Sequence, residues 1–323
     1  MTVQQHAAPD IIVIGAGLAG LACARDLCRS GERVALLEAS DGVGGRMRTD
    51  HRDGFLLDRG FQVFNTSYPQ VKRRLGLRSL RLRPFTPGFF AHTSTGTVGF
   101  VDPTRRPTAA AQLLSNRTLS PRDLVALAAL TARDTLLPAR ALRRGTDRST
   151  SAELNRAGLS GTVVTEVLRP FLSGVFLEDR LETSARFFHL VWRSMIRGTL
   201  GLPAEGIGAV PAQLADGLPD SVLRLETPVA RLTAAGVLLA DGTELPATAV
   251  VVATDAVTAA RLLPGLRIPP GRTVTTYYHA ADATPMPEPT LVVDGTGFVL
   301  NTCVLSEVSP TYAPRGTSLI SSS

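Results

Sequence analysis

The sequence predicts an α/β protein in which a parallel-sheet domain is interleaved with a second, α+β domain. Two apolar runs, Ile11 to Ile14 and Val34 to Leu37, lie one helix length apart and suit buried parallel strands. Glycines follow the first run at 15, 17 and 20, the spacing of a tight strand-to-helix turn. A third apolar run, Ala249 to Ala253, comes after the chain's rhythm has changed twice. At 323 residues the chain exceeds a single typical core. The expected layout is one domain from residues 1–75 and 205–262, and another from 76–204 and 263–323.

Each part of the opening stretch has a physical reason. Gly15 permits the turn, Gly17 lets backbone approach a pyrophosphate, and Gly20 lets helix pack closely on strand. The helix from Leu18 and Ala19 onward offers its first N–H groups and positive dipole end to phosphates. Glu38, followed by Ala39, ends the second strand where a ribose hydroxyl is met, and an acidic side chain there argues against NADP. Together these predict a Rossmann-like dinucleotide site, the alternative being a glycine turn of purely structural purpose. Gly44, Gly45 and Arg46 add paired glycines and a planar fork suited to phosphate; the alternative is a solvated surface loop.

The segment from Glu38 to Thr49 resembles the second signature of the flavin-dependent amine oxidase superfamily, which includes polyamine oxidases, protoporphyrinogen oxidase and phytoene-type desaturases. The resemblance implies a Rossmann-like FAD-binding domain in which Gly44, Gly45 and Arg46 wrap the FAD pyrophosphate. It implies that Gly54 to Gln62, with Gly60 and Phe61, runs beneath the flavin ring. The backbone of Val229 would meet the adenine end, and Ala253 with Thr254 would lie near the dinucleotide. The implied reaction is hydride removal from a C–C or C–N bond of a small apolar or amine substrate, with oxygen, a quinone or another electron acceptor. No catalytic residue is assigned. Many amine oxidases of this family place a lysine near the flavin, but the only lysine here, Lys72, lies in a region that does not match. That departure leans toward a desaturase or porphyrinogen-type dehydrogenation. The family's C-terminal Gly-Asp turn has no counterpart after Ala253, so a fragment or a truncated product is expected. The rival readings are an NAD-dependent dehydrogenase, against which Gly44-Gly45-Arg46 argues, and an inactive dinucleotide-binding protein.

Composition excludes more than it assigns. The net charge of +6 is almost all arginine and is spread along the chain, and aromatic residues make up only 5%, so no nucleic-acid surface is indicated. Cys23, Cys28 and Cys303 form neither a disulfide framework nor a metal set. The residues before Asp10 carry no signal pattern and no run is long enough to span a bilayer, which makes the cytoplasm the default location. The basic cluster from Lys72 to Arg83 reads as a solvated helix face, and Phe89 to Phe100 as a hairpin around Ser94-Thr95-Gly96. Ser120, Pro121 and Asp123 start a helix that Pro138 interrupts, with Arg140, Arg143 and Arg144 near its end. Such a helix could lie on a membrane surface, but covering a core is the preferred reading. Arg148 to Leu202 reads as helical, punctuated at Gly161, Pro170, Gly174 and Gly198. His189 and Trp192 share a face there, for packing in preference to substrate contact. Gly206 to Pro211 leads into a helix, strands follow at 222–225, 229–232 and 236–239, and Asp241-Gly242 makes a tight turn. The last strands are expected at 273–280 and 291–301.

Overall fold

A computed structural model of the chain describes residues 9–109, 119–144, 146–295, 297 and 299–323. The reading of the N-terminal residues therefore lies, for 1–8, outside the described residues. The chain divides into two compact units, the first from residues 1–50, 74–76 and 206–271, the second from 51–73, 77–205 and 272–323.

The first unit is built on a four-stranded parallel sheet: β1 (Ile11–Ile14), β2 (Val34–Leu37), β3 (Leu223–Arg224) and β4 (Ala249–Val252), in the order β3-β2-β1-β4. Helix α1 (Leu18–Arg29) crosses from β1 to β2. Side chains alternate across a strand, and the two faces serve two cores. Ile12, Ile14, Ala35 and Leu37 pack against Val229, Val237 and Leu239 of an antiparallel three-stranded sheet (Val229–Thr233, Gly236–Leu239, Glu244–Pro246). Val13 and Leu36 face the other way, onto Leu21 and Ala24 of α1 and Leu214 of the helix Ala209–Ala215. A run as apolar as β4 predicts full burial, yet Val250 to Val252 are only half-buried, because β4 is the sheet's edge strand. Within the basic cluster, Lys72 and Arg73 are solvent-exposed but Arg74 is not simply solvated. It lies in the first unit and clasps Asp26 of α1 through two bonds of 2.8 and 2.7 Å.

The second unit carries a six-stranded mixed sheet, ordered Tyr277–Ala281, Ser318–Ser322, Asn301–Val304, Leu291–Asp294, Gly88–Thr93, Gly96–Val101. The hairpin at 88–101 matches its sequence pattern. The stretch 291–301 is two antiparallel strands and not one, residues 296 and 298 lying outside the described set. Helix α2 (Pro121–Leu136) starts with a full capping box: Ser120 Oγ accepts the Asp123 N–H at 3.2 Å, and Asp123 accepts the Ser120 N–H at 3.1 Å. Replacing Ser120 with Ala should lower stability by about 1 kcal/mol in urea unfolding, whereas Ser120→Thr, which keeps a hydroxyl to donate to Asp123 as Ser120 does at 2.6 Å, should cost much less.

Leu137 ends α2 ahead of Pro138, and a short helix, Ala139–Leu142, follows. The expected helical stretch to Leu202 holds in part. Helices cover Thr150–Arg156 and Gly161–Phe176, and α3 covers Ala185–Arg197, but Leu200–Leu202 is a strand between Phe64–Asn65 and Arg83–Pro84. Pro170 does not stop its helix. The ladder widens into a π turn at Val164–Leu168 just ahead of it, which accommodates the missing N–H. Gly174 is likewise no break: a Cβ there would come within 3.1 Å of Asn301 Nδ2, so it permits close approach of helix to strand.

His189 and Trp192 belong to the interior. Trp192 Nε1 donates to Thr131 Oγ1 at 3.1 Å, and His189 sits between Asp134 at 2.7 Å and Glu153 at 3.3 Å. Burial alone would raise the Glu153 carboxyl, but Arg133 and Arg148, at 3.1 and 2.7 Å, hold it below its ordinary range. Asp123 is held low in the same way, burial being outweighed by its bonds from Ser120 and Ser160. A carboxylate whose folded pKa is depressed contributes stability above its unfolded pKa and loses it as pH falls through the folded value. The thermal midpoint should therefore be flat above about pH 5 and fall below about pH 4, with a shallower fall in Glu153→Gln.

Candidate functional site

The carboxyl ends of β1, β2 and β4 carry the candidate site, and the reasons for its glycines separate cleanly. Gly15 has φ +98°, a left-handed turn that stops β1, and its N–H donates to Leu37 O at 2.7 Å. A Cβ on Gly20 would overlap the Gly15 carbonyl oxygen, so glycine is required for α1 to lie against the turn. Gly17 is different. Its φ of −71° suits any residue, and a Cβ there would meet nothing within 4 Å. Folding does not demand a glycine at this position. It is also the N-cap of α1, whose first turn has neither a side-chain cap nor an acidic residue. The positive end of a twelve-residue helix thus faces outward without compensation from its own side chains.

The second glycine pair is attached to the first turn by backbone. Gly44, at φ +112°, donates its N–H to Ala16 O at 2.8 Å and pairs with Gly17, and Gly45 follows at φ +59°. Arg46 and Ala39 are exposed at the rim. Glu38 does more than the sequence implied: its carboxylate accepts the Ala16 N–H at 2.7 Å and the Ser40 N–H and Oγ at 3.0 and 2.8 Å. A carboxylate accepts roughly four such bonds, so capacity for a ribose hydroxyl remains. Ser40 and Arg48 were missed in the sequence. Arg48, mostly buried, pairs with Asp41 at 2.9 Å and underlies Gly42, where a Cβ would lie 3.3 Å from its guanidinium.

Val229 is buried, and the antiparallel pairing shifts register directly after it. The segment leading to it lies along Glu38, for Thr227 N–H donates to Glu38 O at 2.8 Å and Glu226 N–H to Ser40 O at 3.0 Å. Ala253 continues β4, its N–H on Ile14 O at 2.9 Å, and its carbonyl would lie 3.0 Å from a Cβ on Gly15. Gly15, Gly17, Leu18, Ala19, Gly20, Glu38, Ala39, Gly44, Gly45, Arg46, Val229 and Ala253 all fall in the first unit.

Gly60 and Phe61 belong to the second unit. Gly60 turns at φ +89°, and the Phe61 N–H donates to Thr276 Oγ1 at 3.2 Å. The turn follows Asp58, whose carboxylate accepts the Tyr312 hydroxyl at 2.8 Å and whose carbonyl accepts the Tyr278 hydroxyl at 2.5 Å. Burial, and then the Asp58 charge, push both phenols well above their ordinary range. On the strand of Tyr278, Tyr277 and His279 are exposed. Among the described residues no cluster of His, Cys, Asp and Glu suits a metal ion, and no helix is long and apolar enough to cross a membrane.

A parallel sheet, an uncapped glycine-lined helix N-terminus and an acidic end to the second strand define a dinucleotide-binding α/β protein. The chain belongs to the flavin containing amine oxidoreductase family, whose model matches residues 18–323. It is 37% identical over 86 residues to probable polyamine oxidase 4 of Arabidopsis thaliana, which covers 25% of this chain and 17% of that protein. It is 37% identical over 68 residues to the 15-cis-phytoene desaturase of Narcissus pseudonarcissus, covering 21% of this chain and 12% of that one. A solved oxidoreductase from Methanosarcina mazei shares the fold, with a TM-score of 0.73 at 17% identity over 97% of this chain and 78% of that chain. The match thus spans less than a fifth of either curated relative. Membership of a flavin-containing family decides against the nicotinamide-dependent alternative.

Proposed function

We propose that this chain holds FAD at the carboxyl ends of β1, β2 and β4 and serves an oxidoreductase that dehydrogenates a small amine or apolar substrate. Gly17 carries the reading, because it is the one glycine of the turn that the fold does not itself require. In this reading the N–H groups of Leu18, Ala19 and Gly20 face the pyrophosphate, with the backbone of Gly44 and Gly45 and the Arg46 fork completing the cradle. Glu38 and Ala39 receive the ribose, Val229 the adenine side, and Ala253 closes the turn from β4. Gly60 and Phe61, fixed through Asp58, serve the flavin ring. The flavin, when bound, supplies the hydride acceptor, with oxygen or a quinone as the next electron acceptor.

The first unit serves the cofactor and the second, Gly60 and Phe61 apart, the substrate. Lys72 is exposed on the short helix Pro69–Arg74, which favours C–C dehydrogenation over the lysine-assisted amine chemistry of many family members. Three free cysteines suit a cytoplasmic location. Titration with FAD, followed by flavin absorbance and fluorescence, tests the reading. Gly17→Val should weaken FAD binding on the order of a hundredfold, about 2.7 kcal/mol, while the thermal midpoint of the FAD-free chain falls only by the small cost of replacing an N-cap glycine. Undiminished FAD binding by Gly17→Val would overturn it.

A further inference from the structure

We propose that the outer face of α2, with the short helix Ala139–Leu142 behind it, docks on an anionic lipid surface. This inference is independent of the cofactor reading. The inner face of α2 does what a core helix does: Leu130 is buried, and Leu124 and Leu127 pack against the same cluster. Its outer face is also apolar. Val125 is 70% exposed and Leu136 81%, and the exposed Ala128, Ala129 and Ala132 join them into one stripe. Leu137 continues the stripe at 40% exposure. Surface leucines occur singly on many proteins, but a stripe along a whole helix face marks a contact.

Charge identifies the contact. Arg122 stands exposed at one end of the stripe, and Arg140, Arg143 and Arg144 at the other. The acidic residues of this segment are both turned inward, Asp123 at 1% and Asp134 at 0% exposure. Asp123 is spent on the Ser120 and Ser160 N–H groups, and Asp134 on His189. Among the described residues, the helices packed beside it add no exposed acid, and Asp147, exposed beyond Arg144, accepts the Ser184 hydroxyl at 2.7 Å. Glu153 is buried under Arg133 and Arg148, and from α3 Arg193 and Arg197 reach the carbonyls at the end of α2. The face is therefore apolar along its middle and predominantly cationic at its margins, where Arg122, Arg140, Arg143 and Arg144 outnumber the exposed Asp147.

That pattern suits a helix lying flat at a bilayer surface, with its apolar stripe in the headgroup boundary and its arginines among the phosphates. At 16 residues α2 is about 24 Å long, enough to lie along the plane and too short to cross it. A second copy is disfavoured, because a two-fold contact through this face would set arginine against arginine. Nucleic acid is disfavoured too, since the stripe has no aromatic side chain and would gain nothing against phosphates.

The test is co-sedimentation of the full chain with phosphatidylcholine vesicles, with and without phosphatidylserine, at low and physiological salt. We expect binding to the anionic vesicles at least about tenfold tighter than to the neutral ones, and weaker as salt rises. Leu136→Asp and the triple change Arg140→Glu, Arg143→Glu, Arg144→Glu should each reduce binding at least about tenfold with circular dichroism unchanged. Should either variant misfold, Val125→Asp with the wild-type salt series decides in its place. Equal binding to both vesicles, or none, would overturn the proposal. So would binding that Leu136→Asp and Val125→Asp leave intact, since charge alone, as for an acidic protein partner, would then suffice.

Discussion

Gly20→Ala is expected to lose both stability and cofactor. The added methyl would overlap the Gly15 carbonyl oxygen, and the obstacle is backbone held by the Gly15 N–H bond to Leu37 O. No side chain can rotate out of the way, so α1 must lift from β1. Overpacking of this kind costs roughly 1–3 kcal/mol, and a backbone obstacle belongs at the upper end of that range. Urea unfolding should show a midpoint lowered accordingly, together with weaker FAD retention. The comparison with position 17 makes the result diagnostic. A side chain at 17 should remove the cofactor at no more than a small capping cost to the fold, whereas one at 20 should damage both. Equal stability losses at the two positions would mean that Gly17, too, is structural.

Asp58→Ala should produce the second large effect. Asp58 is 3% exposed and Tyr312 fully buried, so the substitution leaves the Tyr312 hydroxyl without its acceptor in a dry interior, next to Cys303, Leu305 and Leu319. An unsatisfied buried donor costs about 1–3 kcal/mol, and hydrogen bonds to a charged group lie toward the upper end. Asp58→Asn keeps an acceptor oxygen and should cost less. Tyr312→Phe removes one hydrogen bond from the carboxylate instead, and the double change Asp58→Ala with Tyr312→Phe should be milder than the sum of the singles. A strictly additive cycle in urea unfolding would show that the bond contributes nothing. Because the Gly60–Phe61 turn follows Asp58 directly, the reading under which it serves the flavin ring also expects Asp58→Ala to shift the flavin spectrum.

How much of this was legible in the sequence depended on how local the cause was. The β1–α1–β2 unit, the capping box at Ser120 and the hairpin at 88–101 all follow from patterns within a few residues, and the structure has them. The strand at Leu200–Leu202 was hidden because its partners at 64–65 and 83–84 lie more than a hundred residues earlier, and three residues carry no period. Arg74 read as solvated because nothing nearby announces Asp26 as its partner. The same applies to Asp58 and Tyr312, which are 254 positions apart. Glu38 follows the end of β2, as the apolar run before it predicts, but its bonds to Ala16 and Ser40 depend on how the glycine turn folds back, which spacing alone does not show. Gly174 and Pro170 misled for the opposite reason. Both carry strong local signals for a break, and tertiary packing and a π turn absorbed them.

The contacts among Ala16, Glu38, Ser40 and Gly44 have a mechanical meaning. Ala16 donates to Glu38 through its N–H and accepts from Gly44 through its carbonyl, while the Ser40 N–H donates to the other Glu38 oxygen and the single Ser40 hydroxyl hydrogen is shared between that oxygen and Gly42 O, at 2.8 and 2.9 Å. Two loops that the sequence sets apart are therefore laced into one closed circuit. Such a circuit has no independent parts: releasing any one bond should slacken the turn after β1 and the second glycine pair together. A ligand that grips either loop tightens both, so the cradle should behave as a single latch and not as two loose fingers.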